Sequence, residues 1–186
     1  KPVQKVFMNC YLQNNHINNN GGIMITTIYL DMDGVIVDFR KQCENYKCIE
    51  GTKVNWSIIH KAGPEFWEEC SWTESGESFY KWLDRFCKEE DIELYILSAV
   101  SFEDGKIGKI NWLKKHTNID LHHTIIVPFG VTNSRGPGKE IYANKDSILI
   151  DDFGKNGAAW EKKKGIFVHY KSPEDAKMKI LEIVQK

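Results

Sequence analysis

Three groups of polar residues follow apolar, strand-prone runs. Asp31 and Asp33 come after Ile25–Leu30, Ser98 after Tyr95-Ile96-Leu97, and the pair Asp151-Asp152 after Ser147–Ile150. If those runs are parallel strands of one sheet, the polar groups converge on a single edge. Four carboxylates crowded there would repel strongly at low effective dielectric, and a divalent cation is the natural compensation. Hard oxygen ligands with room for water and a phosphate point to Mg²⁺. Taken singly, each Asp reads as a turn or capping residue, the common role of Asp beside a glycine such as Gly34. Only the joint arrangement points to chemistry.

The elements that must position these groups alternate along the chain. Ile25–Leu30 predicts a buried strand, and Glu77–Glu89 places Phe79, Trp82, Leu83 and Phe86 on one helical face. A strand at Ile92–Leu97, a helix at Lys106–His116 and a short strand at Thr124–Val127, ended by Pro128, follow. Further on, Ser147–Ile150 reads as a strand, Lys155–Lys163 as a helix and Ile166–His169 as a last strand. Ser172, Pro173 and Asp175 then make a helix start, with Ser as cap and Pro at the first helical position. This alternation predicts an α/β fold, a Rossmann-like three-layer core with a parallel sheet. Val35 to about Ser75 is too long for a simple crossover, and it carries Tyr46, Trp56, Phe66, Trp67 and Trp72 between breaks at Gly51 and Gly63-Pro64. We read it as a small, mostly helical cap inserted after the first strand; an ordinary pair of crossover helices is the competing reading. The expected organisation is a flexible extension over 1–23, a core over 24–40 and 76–186, and a cap over 41–75.

Composition narrows the function classes. The chain has 186 residues, 41% hydrophobic and 27% charged, which fits one globular domain and excludes fibrous or wholly disordered chains. Its 25 basic and 26 acidic residues leave a net charge of −1, so neither duplex nucleic acid nor an anionic membrane is expected as partner. There is no apolar run of spanning length and no signal-peptide succession at the start, so a cytoplasmic protein is expected. The Asn-rich stretch Asn14–Asn20 with Gly21-Gly22 suggests the flexible extension, and Met24 opens the domain. Five cysteines without a CxxC, and histidines without an HExxH, argue for reduced thiols and for a metal held by carboxylates.

Asp31-Met32-Asp33-Gly34-Val35, Ser98 after an apolar strand, a downstream lysine and Ile150-Asp151-Asp152 resemble, in order, the four motifs of the haloacid dehalogenase (HAD) superfamily of phosphotransferases. Within it, Leu30–Phe39, Lys109–His116 and Leu149–Asp152 are most similar to the 5'(3')-deoxyribonucleotidases and their bacterial and phage relatives. The resemblance implies a phosphoric monoester hydrolase working through a phosphoaspartate. Asp31 would be the nucleophile and Asp33 the general acid and base. Asp31, the Asp33 carbonyl, Asp151 and Asp152 would hold Mg²⁺. Ser98 and Lys109 would serve the phosphoryl group.

Lys109 is preferred as the motif lysine because it lies 11 residues after Ser98 and three before Trp112, with Lys139 and Lys145 as reserves. Ser98, Ala99 and Lys109 would contact the substrate, and Phe39, Trp56, Phe66 and Trp67 would form an aromatic slot for a base. Two departures from the nucleotidases border the phosphate site: Phe153 stands where a basic residue is common, and Ala99-Val100 where Ser or Thr then Pro is common. Asn133–Gly138, with Arg135, reads as a connector or a rim loop. The expected substrate is a small phosphomonoester, a nucleoside monophosphate. Alternatives are a phosphatase of polynucleotide ends or of another small phosphometabolite, and a non-catalytic phosphoacceptor or nucleotide-binding module.

Overall fold

In a computed structural model, residues 24–128 and 138–185 are described. The expected extension and all of the Asn133–Gly138 stretch but its last residue lie outside them.

Strand β1 (Thr27–Leu30) alternates its side chains between two apolar layers. Ile28 and Leu30 enter one core, and Tyr29 enters another. After it come helix α1 (Phe39–Asn45), the short strands β2 (Ile49–Glu50) and β3 (Lys53–Val54), and helices α2 (Trp56–Ala62), α3 (Glu65–Glu68) and α4 (Gly76–Glu89). The chain continues through β4 (Glu93–Val100), α5 (Glu103–His116), β5 (Thr124–Pro128), β6 (Ser147–Asp151), α6 (Gly154–Lys162), β7 (Ile166–His169) and α7 (Pro173–Val184). Short 3₁₀ turns at Leu121–His123 and Lys139–Tyr142 precede β5 and β6.

Five strands form a parallel sheet in the order β5-β4-β1-β6-β7. The chain leaves β1 toward β4 and β5, then returns to its other side with β6, so the order reverses at the centre. Open α/β sheets bind ligands in the crevice at such a reversal. The larger core joins Phe79, Leu83, Trp112, Leu113, Ala176 and Ile180 of α4, α5 and α7 to one face of the sheet. Trp160 of α6 packs with Tyr29, Leu97 and Leu149 on the other.

The boundaries differ from expectation where ladder pairing outlasts the apolar run. β4 extends through Ser98 to Val100 because β5 pairs alongside, Ser98 with Ile126 and Val100 with Pro128. Ser98 therefore lies within a strand and not after it, and Asp151 is the last residue of β6. Pro128 closes an edge strand, where a missing N–H is tolerated. The segment between β1 and α4 is not purely helical, since β2 and β3 pair as an antiparallel hairpin turning at Gly51, whose φ is +63°. It has its own apolar cluster of Cys43, Cys48, Ile59, Phe66 and Trp67. Cys43, Cys48, Cys70 and Cys87 are free and buried.

Candidate active site

Register brings the acids together. Leu30 pairs with Ile96 on one side and Ile150 on the other, so Asp31 emerges level with Leu97 and Asp151. The Asp31 N–H still donates to the Ile150 carbonyl at 3.0 Å. The chain then turns sharply, the N–H groups of Val35, Ile36 and Val37 all donating to the Met32 carbonyl. Gly34 sits in this turn at φ +74°, and a Cβ there would collide with Asp152 Oδ2.

Two buried ammonium groups organise the carboxylates. Lys109, 1% exposed, donates to Asp33 Oδ2 at 2.5 Å, Ser98 Oγ at 2.8 Å and the Ala99 carbonyl at 3.2 Å. Lys139 lies 2.8 Å from Asp31 Oδ1 and 2.6 Å from Asp151 Oδ2. Asp151 Oδ2 also accepts from Asn156 Nδ2 at 2.8 Å, and its Oδ1 from the Phe153 N–H at 2.8 Å. The Met32 N–H holds Asp31 Oδ1 at 2.7 Å.

The electrostatics follow from burial and crowding. Burial raises the Asp33 carboxyl above the usual carboxylate range, with Lys109 opposing the shift and Asp31 adding to it. Its Oδ1 is buried without a hydrogen-bond partner. Asp151 is likewise raised by burial and by Asp31, against the pull of Lys139. Asp152 is pushed up to about 6 by desolvation and then by Asp31, Asp151 and Asp33. Burial alone would lower the Lys139 ammonium, but Asp31 and Asp151 outweigh it and hold the group above the ordinary lysine value.

The donor set fits a divalent cation. Carboxylate oxygens of Asp31, Asp151 and Asp152 lie within 4.8 Å of one another. Among the described residues the buried lysines pair with Asp31, Asp33 and Asp151 and none with the Asp152 carboxylate, while His169 Nε2 lies 3.0 Å from the Asp152 backbone carbonyl. When all are ionised, the four carboxylates of Asp31, Asp33, Asp151 and Asp152 exceed the charge of Lys109 and Lys139 by the charge of one such ion.

A cavity of about 360 Å³ opens beside this cluster. Of the residues singled out in the sequence, Asp31, Asp33, Ser98, Ala99, Asp152, Phe39, Trp56 and Trp67 line it. Lys109 and Asp151 stand behind that lining, buried and bonded to it. Phe66 is not among the lining residues; it is fully buried, edge-on to Phe39 and Trp67. Lys145 is exposed in the turn before β6. Lys139, only a reserve in the sequence reading, is as deeply placed as Lys109. Val100, which the sequence placed at the border of the phosphate site, lines the cavity as well, as does Lys139, whereas Asn156 and the wall contributed by Arg40 and Ser101 went unnoticed. Asn156 lies in the first turns of α6, which folds back over Asp151, a relation that no spacing rule announces. Phe153 also lines the cavity, so a ring stands where a basic side chain was thought usual.

No family model matches the chain, and no curated protein matches its sequence. Among solved structures it is similar to a HAD-superfamily hydrolase, subfamily IA, variant 1, from Geobacter sulfurreducens PCA. The TM-score is 0.52 at 14% identity, over 84% of this chain and 91% of that one. A haloacid dehalogenase-like hydrolase from Streptococcus pneumoniae matches with a TM-score of 0.48 at 14% identity, over 77% and 83% of the two chains. A hydrolase from Pseudomonas syringae gives 0.43 at 14% identity, over 82% and 89%. The first likeness is one of fold: the five-stranded parallel sheet flanked by helices is the Rossmann-like HAD arrangement.

Proposed function

We propose that the chain is a Mg²⁺-dependent phosphomonoester hydrolase of the HAD superfamily, acting on nucleoside monophosphates in the manner of the 5'(3')-deoxyribonucleotidases. One observation carries the reading: Asp31 and Asp33 share a sheet edge with Ser98, the Asp151-Asp152 pair and two buried lysines, beside a cavity large enough for an organic ester.

Asp31 attacks phosphorus as the ester P–O bond breaks, forming an acyl phosphate on its carboxylate. Asp33, whose raised pKa favours the protonated form, gives its proton to the leaving alkoxide. Water then attacks the phosphoaspartate, Asp33 takes its proton, and phosphate leaves with the Asp31 carboxylate restored. Ser98 faces the phosphoryl group with the Lys109 charge directly behind it, and Lys139 holds Asp31 in place. Asp31, the Asp33 carbonyl, Asp151 and Asp152 would hold Mg²⁺, which supplies charge neutralisation of the phosphoryl group when bound. Residues 41–75 serve as the cap, and Phe39 and Trp56, with Trp67 stacked on Phe39, favour an ester with a planar group. No helix among the described residues is long and apolar enough to cross a membrane.

The test is phosphate release with Mg²⁺ from 5'- and 3'-(deoxy)nucleoside monophosphates, a phosphorylated oligonucleotide and phenyl phosphate, beside Asp31→Asn. Mononucleotide turnover that disappears in the variant is expected. Turnover of phenyl phosphate alone would discard the nucleotide assignment, and none at all would favour a phosphoacceptor or binding module.

A further inference from the structure

Resting on that reading, we propose that Trp67 is a positioning residue for Lys109, acting on the ammonium behind Ser98 more than on the organic part of the substrate. An ammonium has three N–H donors, and those of Lys109 are directed at Asp33, Ser98 and Ala99. Nζ also lies 4.6 Å from the centre of the Trp67 ring. A lysine on its four-carbon stem is flexible and strongly hydrated, so a buried one keeps a single geometry only if its surroundings define it. The indole face attracts the cation without competing for its donors.

The ring is itself held. Two glycines one turn apart on α5 admit α3 at close approach. A Cβ at Gly105 would come within 2.8 Å of Trp67 Nε1, and one at Gly108 within 2.7 Å of Trp67 Cβ while striking the Pro64 carbonyl. Lys109 follows Gly108 directly, so the backbone that receives Trp67 is the backbone that carries the ammonium. Phe39 stacks on the ring at 5.4 Å and 16°. Trp67 is 4% exposed, which leaves little of it for a substrate ring.

The test is a double-mutant cycle on phenyl phosphate hydrolysis: Trp67→Leu and Trp67→Phe, each in the native and the Lys109→Met background. In the native background Trp67→Leu is expected to lower kcat about tenfold, with KM changed less than about threefold and a smaller loss for Trp67→Phe. In Lys109→Met neither substitution lowers kcat further. An equal fold-loss in both backgrounds, or an effect confined to KM, overturns the proposal. A second readout needs no turnover: amine labelling followed by mass spectrometry. Lys109 should be modified about tenfold faster in Trp67→Leu, or in Trp67→Phe to a lesser degree if the former does not fold; unchanged labelling overturns the proposal. If the native protein hydrolyses no ester, the phosphohydrolase reading falls, while the labelling still decides the relation of Trp67 to Lys109.

Discussion

The Lys139 ammonium lies 2.8 Å from Asp31 Oδ1, with both side chains buried. The same ammonium contacts Asp151, so one cation holds the acid after β1 against the acid that ends β6. Removing it strands two carboxylates in a low-dielectric site. Lys139→Met is expected to destabilise the metal-free protein by about 3–5 kcal/mol, read from urea unfolding. Mg²⁺ should raise the melting temperature of the variant more than that of the native protein, since the site is then more negative. Because the Lys139 pKa is raised in the fold, its contribution persists through neutral pH and is lost only as pH climbs through that raised value. Unfolding curves that coincide for the two proteins would rule this pairing out as a source of stability.

Asp152 gives a pH dependence of the same sign in a lower window, here because burial disfavours its charged form. Its carboxyl titrates at about 6 in the fold, above the ordinary 3.8, so the native state holds an extra proton between those values. Stability of the metal-free protein should therefore decline as pH rises from about 4 to 6 and level off above, as far as this group contributes. Mg²⁺ should stabilise more at pH 7.5 than at pH 5, because the ion needs the ionised form. Asp152→Asn should flatten both trends in differential scanning fluorimetry. A metal response of equal size at the two pH values would contradict the assignment.

Gly34→Ala tests the cradle for Asp152. The added Cβ both disfavours φ +74° and collides with Asp152 Oδ2. We expect a loss of about 1–3 kcal/mol in stability. Mg²⁺ affinity by titration calorimetry should weaken at least tenfold, as the carboxylate is displaced. Native affinity with lowered stability would mean that Asp152 is not needed for the metal.

The legible part of this site was the part written in short-range pattern. Apolar runs ending in Asp31 or Asp151 announce strand ends, and alternation of strands and helices announces a parallel sheet that gathers those ends. Lys139 is different. It stands in a short 3₁₀ turn with no apolar period around it, and its burial exists only because Asp31 and Asp151, distant in sequence, neutralise it. Phe66 and Trp67 are neighbours on α3 and look alike as aromatic candidates, yet one step around a helix is about 100°. Both join the cluster with Cys43 and Ile59, but that rotation buries Phe66 wholly within it and lets Trp67 also reach Lys109 and the cavity. The β2–β3 hairpin has two residues in each strand, too few for any period to show.

That division of the aromatics sharpens the expectation for substrate. Phe66 is fully buried and Trp67 nearly so, whereas Phe39 and Trp56 are half-buried, stacked at 6.0 Å and 25°, and line the cavity. A base stacking in this site would therefore meet Phe39 and Trp56. Base–aromatic stacking is worth about 1–3 kcal/mol, or about 5- to 150-fold in affinity. Phe39→Leu should raise KM for a nucleoside monophosphate by about that factor while leaving kcat/KM for a small alkyl phosphate within about threefold. Phe39 also stacks on Trp67, so a fall in kcat with both esters would show the ring acting through Trp67 and Lys109 instead. An unchanged ratio between the two esters would remove the base from this wall of the cavity and return the substrate to the wider class of small phosphomonoesters.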